Sequence, residues 1–253
     1  MEIIFKVELM LHHHKHKLLV LLLFLIGLSA KAQDTQTLTT SNNLQESFDY
    51  LTKMYNDSMQ TSPAIYKGNE YKFYSSKMIN HPFFYSEDSG IGDISFDGIL
   101  YKDVQFYYDT HLQQIVVEHD KISYPFIIEN NLIDYFIIFE HKYVPLEEDS
   151  NGLINAGFYD LLVDGDVKLY AKRHKSIQKE IDDDQLKYWF DDEDKYYVLK
   201  DDVFHKVKSK GSVLKVLKDK KKILKSNIKE RGIKFGKTAE SGLLLTVEYY
   251  NQI

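Results

Sequence analysis

The chain has no cysteine among its 253 residues, which excludes disulfides, thiolate zinc sites and a cysteine nucleophile. A lipid anchor on an exported N-terminal cysteine is excluded with them. Proline (four) and glycine (12) are too scarce for a collagen-like or linker-rich chain. Arginine occurs only as Arg173 and Arg231, a poor endowment for nucleic-acid binding, where the guanidinium fork is favoured for bases and phosphates. The metalloprotease HExxH, the nucleophile elbow GxSxG, the phosphate loop GxxxxGK and the dinucleotide loop GxGxxG are all missing. No metal or cofactor is therefore expected.

Long apolar runs are also missing, with one exception at residues 18–28, LLVLLLFLIGL, preceded by Lys15 and Lys17 and followed by Ser29-Ala30-Lys31-Ala32. The run is short for a hydrocarbon core about 30 Å thick. Ala30 and Ala32 are small residues where a signal peptidase needs them, so a secretory signal peptide is read here, cut between Ala32 and Gln33. Glu2 and Glu8 weaken the n-region, whereas a start at Met10 would leave a presequence without acids. No further membrane span is expected after processing, and the destination is the periplasm, the envelope surface or the medium.

What is present is a globular composition, 43% hydrophobic and 28% charged. Leu44, Phe48, Leu51, Tyr55 and Met59 recur at helical spacing after a polar lead-in, and Ser62-Pro63 ends the pattern. From Ala64 the period shortens to runs rich in Tyr, Phe, Ile and Val, the signature of antiparallel strands. Asp97-Gly98 and Asp164-Gly165 read as type I′ hairpin turns, and Asn130-Asn131 as a third hairpin. The continuously apolar runs 124–128 and 135–139 read as strands buried on both faces. A curved sheet, a sandwich or a partly closed barrel would each accommodate so many strands.

Charge is then partitioned along the chain. Residues 180–202 hold ten acids and three lysines, whereas residues 206–237 hold thirteen basic residues and two acids. Within the basic block Val213, Leu214, Leu217, Leu224 and Ile228 share one helical face, opposite Lys215, Lys218, Lys222, Lys225 and Lys229. Asp219 reads as the cap of a second helix, Gly232 as its stop, and residues 238–251 as a last helix. The lysine stripe has three readings: a solvated face, a dock for the chain's own acidic stretch, or a dock for an anionic partner in the envelope.

Other constellations are weaker. Asp88-Ser89-Gly90 has the aspartic-protease triplet but no second copy, and reads as a surface turn. The acids at 182–184 and 191–194 lack the register and the glycine of a calcium loop and read as a solvated stretch. His81, His111, His119, His141, His174 and His205 are too scattered for a zinc set. Aromatics such as Tyr71, Phe73, Tyr74, Phe83, Phe84, Tyr85, Tyr107 and Tyr108 either fill a core or line a groove. Trp189, the only tryptophan, lies between the two acidic clusters as a candidate exposed anchor.

The export signal, YYDTHLQQIVV at 107–117, GFYDLLVDGDVKLYAKR at 157–173, VLKVLKDKKKILK at 213–225 and EYYNQ at 248–252 together resemble a family of exported hypothetical proteins of Gram-negative bacteria. The resemblance implies export and a β-rich body, and it carries over no catalytic residue. The architecture read from the sequence is α+β, predominantly an antiparallel β meander with an N-terminal helix and two or three C-terminal helices. Residues 1–32 form the signal peptide, 33–62 the lead-in and amphipathic helix, and 63–253 a single β-rich domain with lysine-rich helices. Functionally this suggests a non-catalytic binding or interaction module of the envelope. The alternative is a secreted or periplasmic hydrolase acting on a polymer such as a glycan, through carboxylates that no spacing singles out. N-terminal sequencing of the exported protein should begin at Gln33, and an intact residue 18–28 run would overturn the signal-peptide reading.

Overall fold

Strand formation follows the runs of β-branched and aromatic residues closely. The computed structural model describes residues 64–119, 122–182, 185–236 and 239–253. The signal peptide, the Ala32/Gln33 cleavage site and the N-terminal amphipathic helix lie outside the described residues. Among the described residues there are thirteen strands: β1 Asn69–Glu70, β2 Gly90–Phe96, β3 Ile99–Asp109, β4 Gln114–His119, β5 Ile122–Ile127, β6 Ile133–Ile138, β7 His141–Leu146, β8 Gly157–Val163, β9 Lys168–Lys172, β10 Lys175–Asp182, β11 Gln185–Asp192, β12 Lys195–Lys200 and β13 Val203–Val207. Three helices follow, α1 Lys210–Val216, α2 Lys221–Glu230 and α3 Glu240–Gln252.

Eleven strands form one antiparallel sheet in the order β1-β5-β4-β3-β2-β6-β7-β8-β9-β12-β13, and the sheet is not closed. It is strongly curled. Four strand steps separate β3 from β8, about 19 Å in a flat sheet, yet the rings of Tyr108 and Phe158 have centroids 6.2 Å apart. The curl also brings the turn after β3 against the link between β9 and β10, where Thr110 O accepts from Lys175 N and the Gln113 amide donates to Arg173 O. Gly92 permits the tight crossing of β2 and β6, since a Cβ there would stand 2.0 Å from Ile137 O.

Two cores line the same face. The first gathers Phe106, Tyr108, Phe136, Tyr143 and Phe158 with neighbours from β2 to β8. The second lies between β8, β9, β12 and β13 and the three helices, with Val213, Leu214, Leu217, Leu224, Ile228, Leu243 and Val247 buried in it. The apolar helical stripe of the sequence thus packs as its period requires. Ser209 and Ser212 form a reciprocal capping box for α1. Gly232, at φ +61, ends α2 in a Schellman arrangement with Ile233 N bonded to Ile228 O and Gly232 N to Lys229 O.

Several local expectations are corrected. Asp97-Gly98 has both residues at positive φ, as a type I′ turn demands, but Asp164-Gly165 does not. Gly165 is there for space: a Cβ would lie 2.4 Å from Asn251 Nδ2, and Asn251 bonds both Val167 N and Val167 O, docking the end of α3. Asn130-Asn131 opens a 3-10 turn rather than a hairpin, because β6 crosses to pair with β2 instead of β5. The tight turns that the sequence hid are Phe139-Glu140 and Asp201-Asp202, both left-handed at non-glycine residues. β6 is central, as its apolar run suggested, but β5 lies beside the edge strand β1, and Tyr124 is exposed. Asp219 accepts from Tyr250 Oη rather than capping α2. The acidic stretch, read as a solvated loop, instead supplies the end of β10 and all of β11, which form a separate two-stranded arm, and β11 makes one further parallel bridge, from Tyr188 to Met78.

Asn251→Ala should lower the unfolding free energy by about 1–3 kcal/mol in urea titration, because it leaves the Val167 amide and carbonyl without partners. A change below about 0.5 kcal/mol would show that the asparagine contacts contribute little.

Candidate functional site

The lysine face is built by α1 and α2. Packing the apolar stripe inward turns the opposite positions to solvent, and Lys215, Lys218, Lys222, Lys225 and Lys229 are all exposed. Among the described residues none of the five has an ion pair or a hydrogen bond through its ammonium group. Lys220 differs. Its Nζ sits 4.3 Å over the Tyr250 ring and donates to Tyr250 O and Ile253 O, which closes the C-terminal end of α3. Lys206, Lys208, Lys210, Lys221, Lys234 and Arg231 are also exposed, as is Ile223 on another side of α2.

Among the described residues the acids of the 180–202 stretch make no ion pair with these lysines. Asp182 pairs with Lys187 across the arm, Asp192 lies 4.0 Å from Lys175, and Glu193 accepts from Ser176. Asp194 is taken by Arg173 at 2.7 Å. Asp183 and Asp184 lie outside the described residues. The base of the arm is fixed by Asn80, whose side chain bonds both N and O of Phe190, and by the Phe190 ring against Tyr74 and His111. Trp189 is half-buried on β11 opposite Gln178, and among the described residues no aromatic ring stacks on it. The lysines and Trp189 are on different elements with no contact between them.

A cluster that the sequence did not single out lies between the two cores. Arg173, with 8% of its side chain exposed, donates from Nε and Nη2 to Asp160 Oδ2 at 3.0 and 2.6 Å. Its Nη1 donates to Asp194 and to Glu240 at 2.7 and 2.5 Å. His141 Nδ1 is 2.8 Å from Asp160, Tyr196 Oη donates to Glu240, and the Phe84 ring faces the guanidinium at 5.7 Å. Burial opposes the charge of Arg173, but the surrounding carboxylates outweigh it and hold the guanidinium protonated. Burial raises Asp194, and Arg173 offsets this only in part. Burial also pushes Glu240 upward, but Arg173 and the Tyr196 hydroxyl pull it below the ordinary glutamate range.

Buried carboxylates in this body are saturated rather than poised. Asp160 is 1% exposed, and Asp109 accepts from the Tyr71 and Tyr74 hydroxyls and from the amides of His111 and Leu112. Asp88 stands exposed in a surface turn, as its lone triplet suggested. Of the aromatics weighed as a groove, Tyr71, Phe73, Tyr74, Phe83 and Tyr107 gather over the outer face of β3–β5, with Tyr71 and Phe83 buried and Phe73 packed edge-on against them, whereas Tyr108 and Phe84 belong to the first core and Tyr85 is exposed. Among the described residues no group of three or more His, Asp or Glu side chains converges as a metal set. The sequence did carry one signal for the arginine cluster: Arg173 is one of two arginines, and Asp160 is a charge at an inward-facing position of an otherwise apolar strand.

The chain matches no family model, no curated protein and no solved structure.

Arg173→Met leaves Asp160 buried without its cation and should cost about 3–5 kcal/mol of stability. Glu240→Gln supplies a milder test. A carboxyl held below its ordinary range stabilises the fold above its unfolded value and loses that contribution as the pH falls through its folded value. Urea midpoints for Glu240→Gln should therefore drop at pH 7 and vary less with pH below about 4.3 than those of the parent. Asp194, raised by burial, acts in the opposite sense.

Proposed function

We propose that the chain is an exported, non-catalytic binding module of the cell envelope whose lysine face takes an anionic partner. One observation carries this reading: five exposed lysines, on α1, α2 and the 3-10 turn between them, have no ion pair among the described residues, although the chain is acidic overall at a formal charge of −6. Single-sign surfaces of this kind raise the local concentration of oppositely charged partners and speed their capture. Residues 18–28 and the resemblance to exported proteins support delivery to the envelope. Among the described residues no helix is long and apolar enough to cross a membrane, so helix α1 or α2 would meet an anionic surface from its side.

The hydrolase alternative finds less support. A glycosidase needs two carboxyl groups separated by roughly 5–10 Å with the sugar between them. Asp194 and Glu240 are instead bridged by one guanidinium nitrogen, which occupies the space a substrate would need.

Fractionation of the native cells tests the proposal. The processed protein should appear in the membrane pellet and be released by a salt wash, as Coulombic attachment requires. Changing Lys215, Lys218, Lys222 and Lys225 to Glu should abolish that association while leaving thermal unfolding essentially unchanged. Undiminished pelleting of the variant would overturn the reading.

A further inference from the structure

The two charge blocks of the chain are brought to different elements of the fold, and among the described residues no ion pair joins an acid of the first to a lysine of the second. The β10–β11 arm presents Glu180, Asp182, Asp191 and a single lysine, Lys187, on the face that carries Trp189, since residues paired across a strand ladder share a face and alternate residues along a strand return to it; Lys187 stands opposite Glu180 and pairs with Asp182. Glu180, Asp182, Asp191, Asp192 and Glu193 are all exposed. The other face of the arm ends in the directly paired Ile181 and Leu186, 73% and 49% exposed. On the helical side Lys218, Lys222, Lys225 and Lys229 are exposed, and Ile223 is exposed on a different side of α2, about 100° or more around the helix from Lys222, Lys225 and Lys229. Among the described residues no ion pair joins the two surfaces.

We infer that the arm of one copy docks on the lysine face of another, so that the anionic partner is a second copy of this chain. The inference rests on the binding reading of the lysine face and names its occupant. Opposite charges supply orientation and rate. Trp189 adds a ring over which a lysine ammonium of the partner can sit. Because the two surfaces are different patches, the contact is head-to-tail, and each copy keeps one free surface for the next. Association should therefore proceed beyond a dimer, and it should be sensitive to salt.

Sedimentation of the processed protein tests this. Its weight-average mass should rise with concentration at about 20 mM salt and return to that of the monomer at about 500 mM, where screening is nearly complete. Two neutralised variants are then compared. One carries Lys218→Gln, Lys222→Gln, Lys225→Gln and Lys229→Gln; the other carries Glu180→Gln, Asp191→Asn and Asp192→Asn. Each alone should stay monomeric with unchanged circular dichroism. Mixed, they should form a 1:1 heterodimer and stop there, because only one good surface of each remains. Trp189 fluorescence should change on mixing. A wild-type chain that is monomeric at every salt concentration would overturn the inference, as would association unaffected by either variant. If the wild type is monomeric while the lysine variant still loses its envelope association, the second-copy partner fails and the binding reading stands. If self-association holds but the pellet is unaffected, the reverse is true.

Discussion

The buried guanidinium of Arg173 is the interaction on which the rest of the architecture depends. It takes carboxylates from β8, from the link after β11 and from the first turn of α3, three segments that are remote in sequence. Each of those carboxylates would be costly to bury alone, and one guanidinium with its fork of donors serves all three. The site lies on the inner sheet face where the aromatic core of β2–β8 gives way to the core under the helices. The ion cluster thus occupies the seam, where neither apolar cluster could continue without a void.

Around that seam the curl of the sheet does the remaining work. The Asp109–Gln113 turn meets the 173–175 link through backbone and side-chain bonds, with His111 Nδ1 near Lys175 O and His174 Nδ1 near Thr110 O. Lys175 reaches back to the carbonyls of His81 and Phe83. These contacts satisfy buried polar groups at the place where the sheet approaches closure without hydrogen-bonding its edges together. The arm departs from the same place, and its second strand is held through Asn80 on Phe190 and through Met78 beside Tyr188.

Function in this reading follows from what packing leaves over. The helices bury their apolar stripe against β12 and β13 and must then display their lysines. The arm places acids on a two-stranded ribbon too narrow to bury both faces. Each surface is a by-product of local periodicity, yet the charge of one matches that of the other. A carboxylate dyad, by contrast, is absent from the described cluster in any usable form, because its members are held by Arg173.

Composition and periodicity by themselves determined a β-rich body, helices at residues 210–252 with Val213, Leu214, Leu217, Leu224 and Ile228 inward, and five lysines outward. These are properties of period and of side-chain solvation, which act over a few residues. The Asp97-Gly98 turn was legible for the same reason, since positive φ is a local demand. Tertiary structure alone decided that β6 pairs with β2, that Asp164-Gly165 makes room for Asn251, and that residues 175–192 form an arm. Strand pairing and close approach depend on residues far away in the chain. The arginine cluster was hidden most completely, because Asp160, Arg173, Asp194 and Glu240 are unremarkable charges until the curl of the sheet removes water from between them.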